Sequence, residues 1–133
     1  MAKYSIAIDN NVFVSKETQE LIFTPAKSNS GETLPYGLGW FIQYFGEMKF
    51  IWHFGYGAAN STLILKVPEK ELTFIILANN DMLSKGSPDI GTDENVMRSE
   101  AAQKFLELFV LSDGELPDDS VPLLSFYKFR NVN

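Results

Sequence analysis

Residues 36–81 read YGLGWFIQYFGEMKFIWHFGYGAANSTLILKVPEKELTFIILANND. Leu38, Trp40, Ile42 and Tyr44 alternate with Gly39, Phe41, Gln43 and Phe45, which predicts a strand with apolar groups on both faces. A turn at residues 46–47 leads into a second strand over 49–54. There Phe50, Trp52 and Phe54 point one way and Ile51 and His53 the other. Residues 55–59 (GYGAA) are small and suit a bend or the close approach of a ligand. Residues 60–67 form the next strand, and residues 68–71 a hairpin turn with Pro68 at its favoured second position. The run at 72–78 is almost continuously apolar, so it is expected to be central and covered on both faces.

Working outward, residues 1–10 predict a short helix with Tyr4, Ala7 and Ile8 on one side, stopped at Asp9-Asn10-Asn11 because Asn tolerates the left-handed conformation. Ser15 is a good N-cap for a second helix through Phe23, Glu17 suits its positive end, and Thr24-Pro25 stops it. Residues 26–35 are a polar loop, as are 79–93. Thr92 or Asp93 is expected to cap a long helix over 94–111 whose apolar stripe is Met97, Ala101, Phe105, Leu108 and Phe109. The tail, 112–133, contains Pro117 and Pro122 and has no assigned element. The fold class is therefore α+β: an antiparallel sheet of three to four strands, short N-terminal helices, and a long C-terminal helix across one face. The other face needs cover from outside the chain.

The bulk properties bound the function. At 133 residues the chain is the size of one domain, and 45% hydrophobic with 14% aromatic residues is enough for a packed core. A net charge of −6 argues against nucleic acid as a partner, since phosphate binding needs a basic face. There is no cysteine, so disulfide scaffolding, thiolate zinc sites and cysteine nucleophiles are excluded. No apolar run approaches the roughly 20 residues of a membrane span. The N-terminus lacks a secretory pattern, so localisation is unknown from this sequence. No cofactor is implied. Gly55-x-Gly57 is not a nucleotide fingerprint, because no third glycine follows and no helix opens after it.

Several pieces, in order, carry a resemblance: AKYSIAIDNN, SKETQELIFTP, YGLGWFIQ, the triplet His53-Phe54-Gly55 within HFGYG, and VPEKELTFIILANND. Together they resemble the C-terminal part of the serine beta-lactamase and penicillin-binding-protein superfamily, in its class C and esterase-like branch. The resemblance covers most of the chain and implies one incomplete domain: a helical lead-in at 1–25, the sheet at 36–78, the helix at 94–111 and the tail. It implies acyl transfer at an amide or ester carbonyl, by a serine with a nearby lysine and tyrosine handling protons. It also implies a parent that is periplasmic or extracellular, acting on a small-molecule or peptide substrate.

The family's Ser-x-x-Lys and Tyr-x-Asn motifs normally lie upstream of such a segment. No Tyr-x-Asn occurs here, and the lone Ser-x-x-Lys, Ser125 to Lys128, falls after the triplet and reads as tail. What the resemblance leaves to this chain is a cleft wall. His53 shapes the electrostatics beside the nucleophile, Gly55 and Gly57 let substrate lie against the strand, and the backbone N–H of Tyr56 supplies an oxyanion-hole donor. A donor of that kind is worth about 3–4 kcal/mol of barrier. The bland readings stand beside these. His53 is a lone histidine in an aromatic strand, the two glycines mark a bulge, and Tyr36 and Trp40 are packing.

Two further functions compete: a non-catalytic binding or interaction module that keeps the sheet, and an unrelated small α+β binding fold with both sheet faces covered by its own residues. On the first two readings Trp40, Phe41, Phe50, Ile51 and Trp52 leave an apolar face or strand edge for the missing N-terminal part or for self-association.

Overall fold

A computed structural model describes residues 1–81, 83 and 94–111. Helix α1 spans Ala2–Asp9 and α2 Lys16–Ile22. Four strands follow, β1 Phe41–Phe45, β2 Met48–Gly57, β3 Asn60–Val67 and β4 Leu72–Ala78, and then α3 at Glu100–Phe109. The strands pair antiparallel in chain order, β1-β2-β3-β4. The architecture is α+β as expected, although the last helix is short.

Residues directly opposite in an antiparallel pair share a face. Phe50, Trp52, Leu63, Leu65 and Val67 therefore form one side and pack with Val96, Met97, Ala102 and Leu106 around α3. Ile42, Ile51, His53, Ile64 and Lys66 lie on the other side, together with Thr73 of β4. That second side is not left bare: Ile42 and Ile51 are 2% and 1% exposed, and Phe50 and Trp52 on the first side are fully buried. The expected apolar face at Phe50, Ile51 and Trp52 does not exist; Trp40 and Phe41 are half-buried.

Helix α1 docks on the second side through polar groups. Lys66 is 3% exposed and its Nζ donates to Asp9 Oδ2 at 2.9 Å, to Thr73 Oγ1 at 3.1 Å and to Ser5 Oγ. A buried ammonium must be paired and hydrogen-bonded. Ser5 and Asp9 stand one helical turn apart, so both can reach it from one stripe. This turns Ser5 and Ile8 inward, while Tyr4 lies outside against Phe13, with rings 5.6 Å apart. The stop at Asn11 (φ 53°) and the Ser15 cap, which accepts from Thr18 N–H at 3.3 Å, are as the residues predict.

The first strand begins later than its alternation suggests. Residues 36–40 turn back, with Gly37 N–H donating to the Trp40 carbonyl and Tyr36 bridging to Phe41. Two glycines permit this. Gly39 has φ +83°, and a Cβ on Gly37 would fall 2.4 Å from the Ile22 carbonyl oxygen. Conversely β2 is longer than expected and runs through Gly57.

The last strand corrects another expectation. β4 pairs only with β3 among the described residues, and its side chains are half-exposed, with Leu77 at 62%. It is an edge, not the centre. A meander puts its final strand outermost whatever that strand's hydrophobicity.

The α3 segment is also shifted. A 3-10 turn at Val96–Arg98 precedes the helix, and Ser99 caps it by accepting from Ala102 N–H at 3.4 Å. Thr92, Asp93 and the tail from 112 lie outside the described residues. The buried stripe is Met97, Ala102, Leu106 and Val110, flanked by Phe105, which stacks on Phe74 at 4.9 Å; Leu108 and Phe109 are exposed. The sequence carries apolar doublets at 101–102, 105–106 and 108–109, which leave the helix phase undecided by about one residue. The start of the helix settles it. Gln43 of β1 fixes that start, donating to Asn95 Oδ1 at 2.8 Å and accepting from Val96 N–H at 3.1 Å.

Candidate functional site

The pairing of β1 with β2 ends at Phe41↔Trp52, while β2 continues against β3 to Gly57↔Asn60. Residues 53–57 thus form a spur of β2 that extends beyond β1. All four site residues expected from the sequence lie on it. His53 stands opposite Ile64, Gly55 opposite Thr62, Tyr56 opposite Ser61 and Gly57 opposite Asn60. His53 and Gly55 share a face, and the side chain of Tyr56 is 56% exposed.

His53 is half-buried in an aromatic setting. Its ring lies 5.9 Å from Phe54 at 18° and 5.9 Å from Phe41 at 41°. Its Nε2 sits 3.3 Å from the Tyr36 hydroxyl. The Tyr36 ring meets Phe41 edge-on at 4.7 Å and 79°, and Phe41 stacks on Trp52 at 4.3 Å and 16°. The turn at 36–40 is what returns Tyr36 to the spur. From sequence Tyr36 reads as packing; its partnership with His53, seventeen residues away, has no signal in the linear chain.

Gly55 has a local reason to lack a side chain. A Cβ there would fall 2.5 Å from Thr62 Oγ1, so any larger residue would force Thr62 to a new rotamer. At Gly57 an added Cβ would fall 2.7 Å from Asn60 Oδ1. The strand is regular through both positions, so neither glycine marks a bulge.

The serines near the sheet have other partners. Ser61 is fully buried, donates to the Asn80 carbonyl at 2.7 Å and accepts from Leu83 N–H at 3.2 Å. Asn79 to Asp81 thereby belong to the strand-end turn. A serine hydroxyl does meet a lysine amine at Ser5 and Lys66, but the ammonium is ion-paired with Asp9 at 2.8 Å and the serine is buried, so it is neither a free base nor a reachable nucleophile. Ser125 and Lys128 lie outside the described residues. Among the described residues no group of three or more His, Cys, Asp or Glu side chains could hold a metal ion. No helix among them is long and apolar enough to cross a membrane.

Comparison with known proteins gives a partial likeness. No protein-family model matches the chain, and no solved structure matches it. Penicillin-binding protein 4* of Bacillus subtilis (strain 168) is 31% identical over 80 residues, which is 59% of this chain and 18% of that protein. The chain thus spans a small part of the length of the curated relative it matches.

Proposed function

We propose that this chain is one wall of a penicillin-binding or beta-lactamase-like acyl-transfer site, whose attacking serine is supplied by polypeptide outside residues 1–133. The observation that carries the reading is the spur of β2 beyond β1, with His53 held by Tyr36 at its root and Gly55, Tyr56 and Gly57 following. His53 sets the local electrostatics, Gly55 and Gly57 keep the strand low enough for substrate, and the Tyr56 N–H is the oxyanion donor. The partial identity to a penicillin-binding protein supports the same reading. A preorganised backbone donor acts without an activated nucleophile only as a binding group, so the chain alone turns nothing over.

The test has two arms. Fluorescent penicillin should label no residue of the isolated chain covalently, and a chromogenic beta-lactam should not be hydrolysed. Millimolar benzylpenicillin should perturb amide resonances of residues 53–57 and leave α3 untouched. Stoichiometric labelling of a serine, or perturbation confined to other regions, defeats the proposal. The edge of β4, unpaired among the described residues, belongs on this reading to the rest of the parent, and in its absence to a second copy of the chain. A strictly monomeric light-scattering profile at high concentration counts against that assignment.

A second reading is favoured by one observation: at the middle of β2 both sheet faces are buried, with Ile51 at 1% and Trp52 at 0% exposure. A scaffold that covers its own faces suits the unrelated small α+β binding fold, whereas a non-catalytic module that keeps only this sheet would leave an apolar face. An in-frame upstream coding sequence carrying Ser-x-x-Lys and Tyr-x-Asn separates the two in favour of the first.

A further inference from the structure

We infer that Tyr36 is a positioning residue for His53, donating its phenolic proton to Nε2 and so holding the imidazole as its Nδ1–H tautomer. A neutral imidazole has one N–H and one acceptor nitrogen, and a hydrogen bond to one nitrogen sets which of the two carries the proton. The Tyr36 oxygen lies 3.3 Å from Nε2. The phenolic O–H is the better donor and the bare ring nitrogen the better acceptor, so the proton sits on oxygen and Nε2 is the accepting atom.

The rest of the neighbourhood agrees. Tyr36 meets Phe41 edge-on at 4.7 Å and the His53 ring lies near-parallel to Phe54 at 5.9 Å, contacts that favour the paired orientation of both rings. Among the described residues no hydrogen bond reaches Nδ1. His53 shares its face with Gly55, about 7 Å further along the strand. The tautomer therefore leaves an N–H donor at the root of the glycine floor. Its ligand class is an oxygen acceptor, a carbonyl or carboxylate of an acyl compound lying along β2. The tautomer stands on the Tyr36–Nε2 distance and the relative donor strengths, whereas this ligand assignment rests on the proposed cleft-wall function.

His53 is the only histidine, so one 15N-labelled imidazole reports without ambiguity. In two-bond 1H–15N correlation spectra, taken where the ring is neutral, Nδ1 should resonate in the N–H region and Nε2 in the bare-nitrogen region. In Tyr36→Phe, which keeps the ring against Phe41, the majority tautomer should revert to Nε2–H, with the amide spectrum still dispersed. Added benzylpenicillin should move the Nδ1 resonance of the natural chain. An Nε2–H majority in the natural chain overturns the inference without reference to any variant, and so does a folded Tyr36→Phe whose tautomer is unchanged. An Nδ1–H ring that ignores benzylpenicillin keeps Tyr36 as the positioning residue and counts against the cleft-wall function.

Discussion

The two faces of the sheet are built on different principles. Toward α3, Phe50, Trp52, Leu63, Leu65 and Val67 meet Val96, Ala102 and Leu106, and the whole side is apolar. Toward α1, buried Ile42, Ile51 and Ile64 alternate with Lys66, Thr73, His53 and Gly55. The first face stabilises by area removed from water, which is non-directional and tolerates many solutions. The second depends on matched polar partners, since each buried donor or charge is costly without one. The period of two along β2 puts His53 and Gly55 on that second face by parity.

The comparison breaks most visibly at Trp52. Trp52→Ala should cost about 3–5 kcal/mol in urea unfolding, because it empties the centre of the area-driven face. Trp52→Phe should cost much less. It keeps the stack on Phe41 and removes an indole Nε1–H that is buried without a partner among the described residues. If the alanine variant unfolds like the natural chain, the α3 side is not the core.

On the other face the matching principle is tested at Asp9. Asp9→Ala leaves the Lys66 ammonium with hydroxyl partners only, and should cost about 2–3 kcal/mol, below the range for fully buried pairs because Asp9 is half-exposed. Adding Lys66→Met should recover much of that loss by removing the stranded charge. A double variant no better than Asp9→Ala would mean that the ion pair is not what holds α1.

The smaller effects sharpen the edges of the picture. Ser99→Ala removes the cap of α3 and should cost about 1 kcal/mol, read from the denaturation midpoint.

The smallest effect concerns the cross-strand pair Tyr44 and Lys49. Burial holds the Lys49 amine below its ordinary value, with Glu69 opposing, and burial, then Glu69, raises the Tyr44 hydroxyl. A lysine lowered on folding penalises the folded state while charged, and the penalty fades as pH rises through the folded value toward the unfolded one, near 10.4. A raised tyrosine contributes fully below its unfolded value, near 10, and loses that contribution as pH climbs through its folded value. Lys49→Met should therefore raise the neutral-pH unfolding midpoint slightly, while Tyr44→Phe should blunt the alkaline decline. A fall in stability for Lys49→Met at neutral pH would contradict the sign.

Much of this contrast is legible in the linear chain. Alternation at 49–54 separates Phe50 and Trp52 from Ile51 and His53, and the pairing register keeps them apart. The caps at Asn11 and Ser15 are read from single residues, because their chemistry acts within one turn. The failures are of another kind. The run at 72–78 looks central because hydrophobicity is the same for an inner strand and for the last strand of a meander. The stripe of α3 slips by a residue because apolar doublets fit two phases. Tyr36 reads as packing because its hydroxyl partner is brought in only by the turn at Gly37 and Gly39.

The sequence by itself determined the kinds of element, the antiparallel sense of the sheet and the parity of β2, since dihedral preferences, capping and a period of two are local. Only the tertiary structure decided that Lys66 draws Ser5 and Asp9 of α1 inward, that β4 is an edge, and that Tyr36 closes on His53. Each of those depends on which distant groups meet to satisfy a buried charge or hydrogen bond, and that is settled by packing in three dimensions rather than by spacing along the chain.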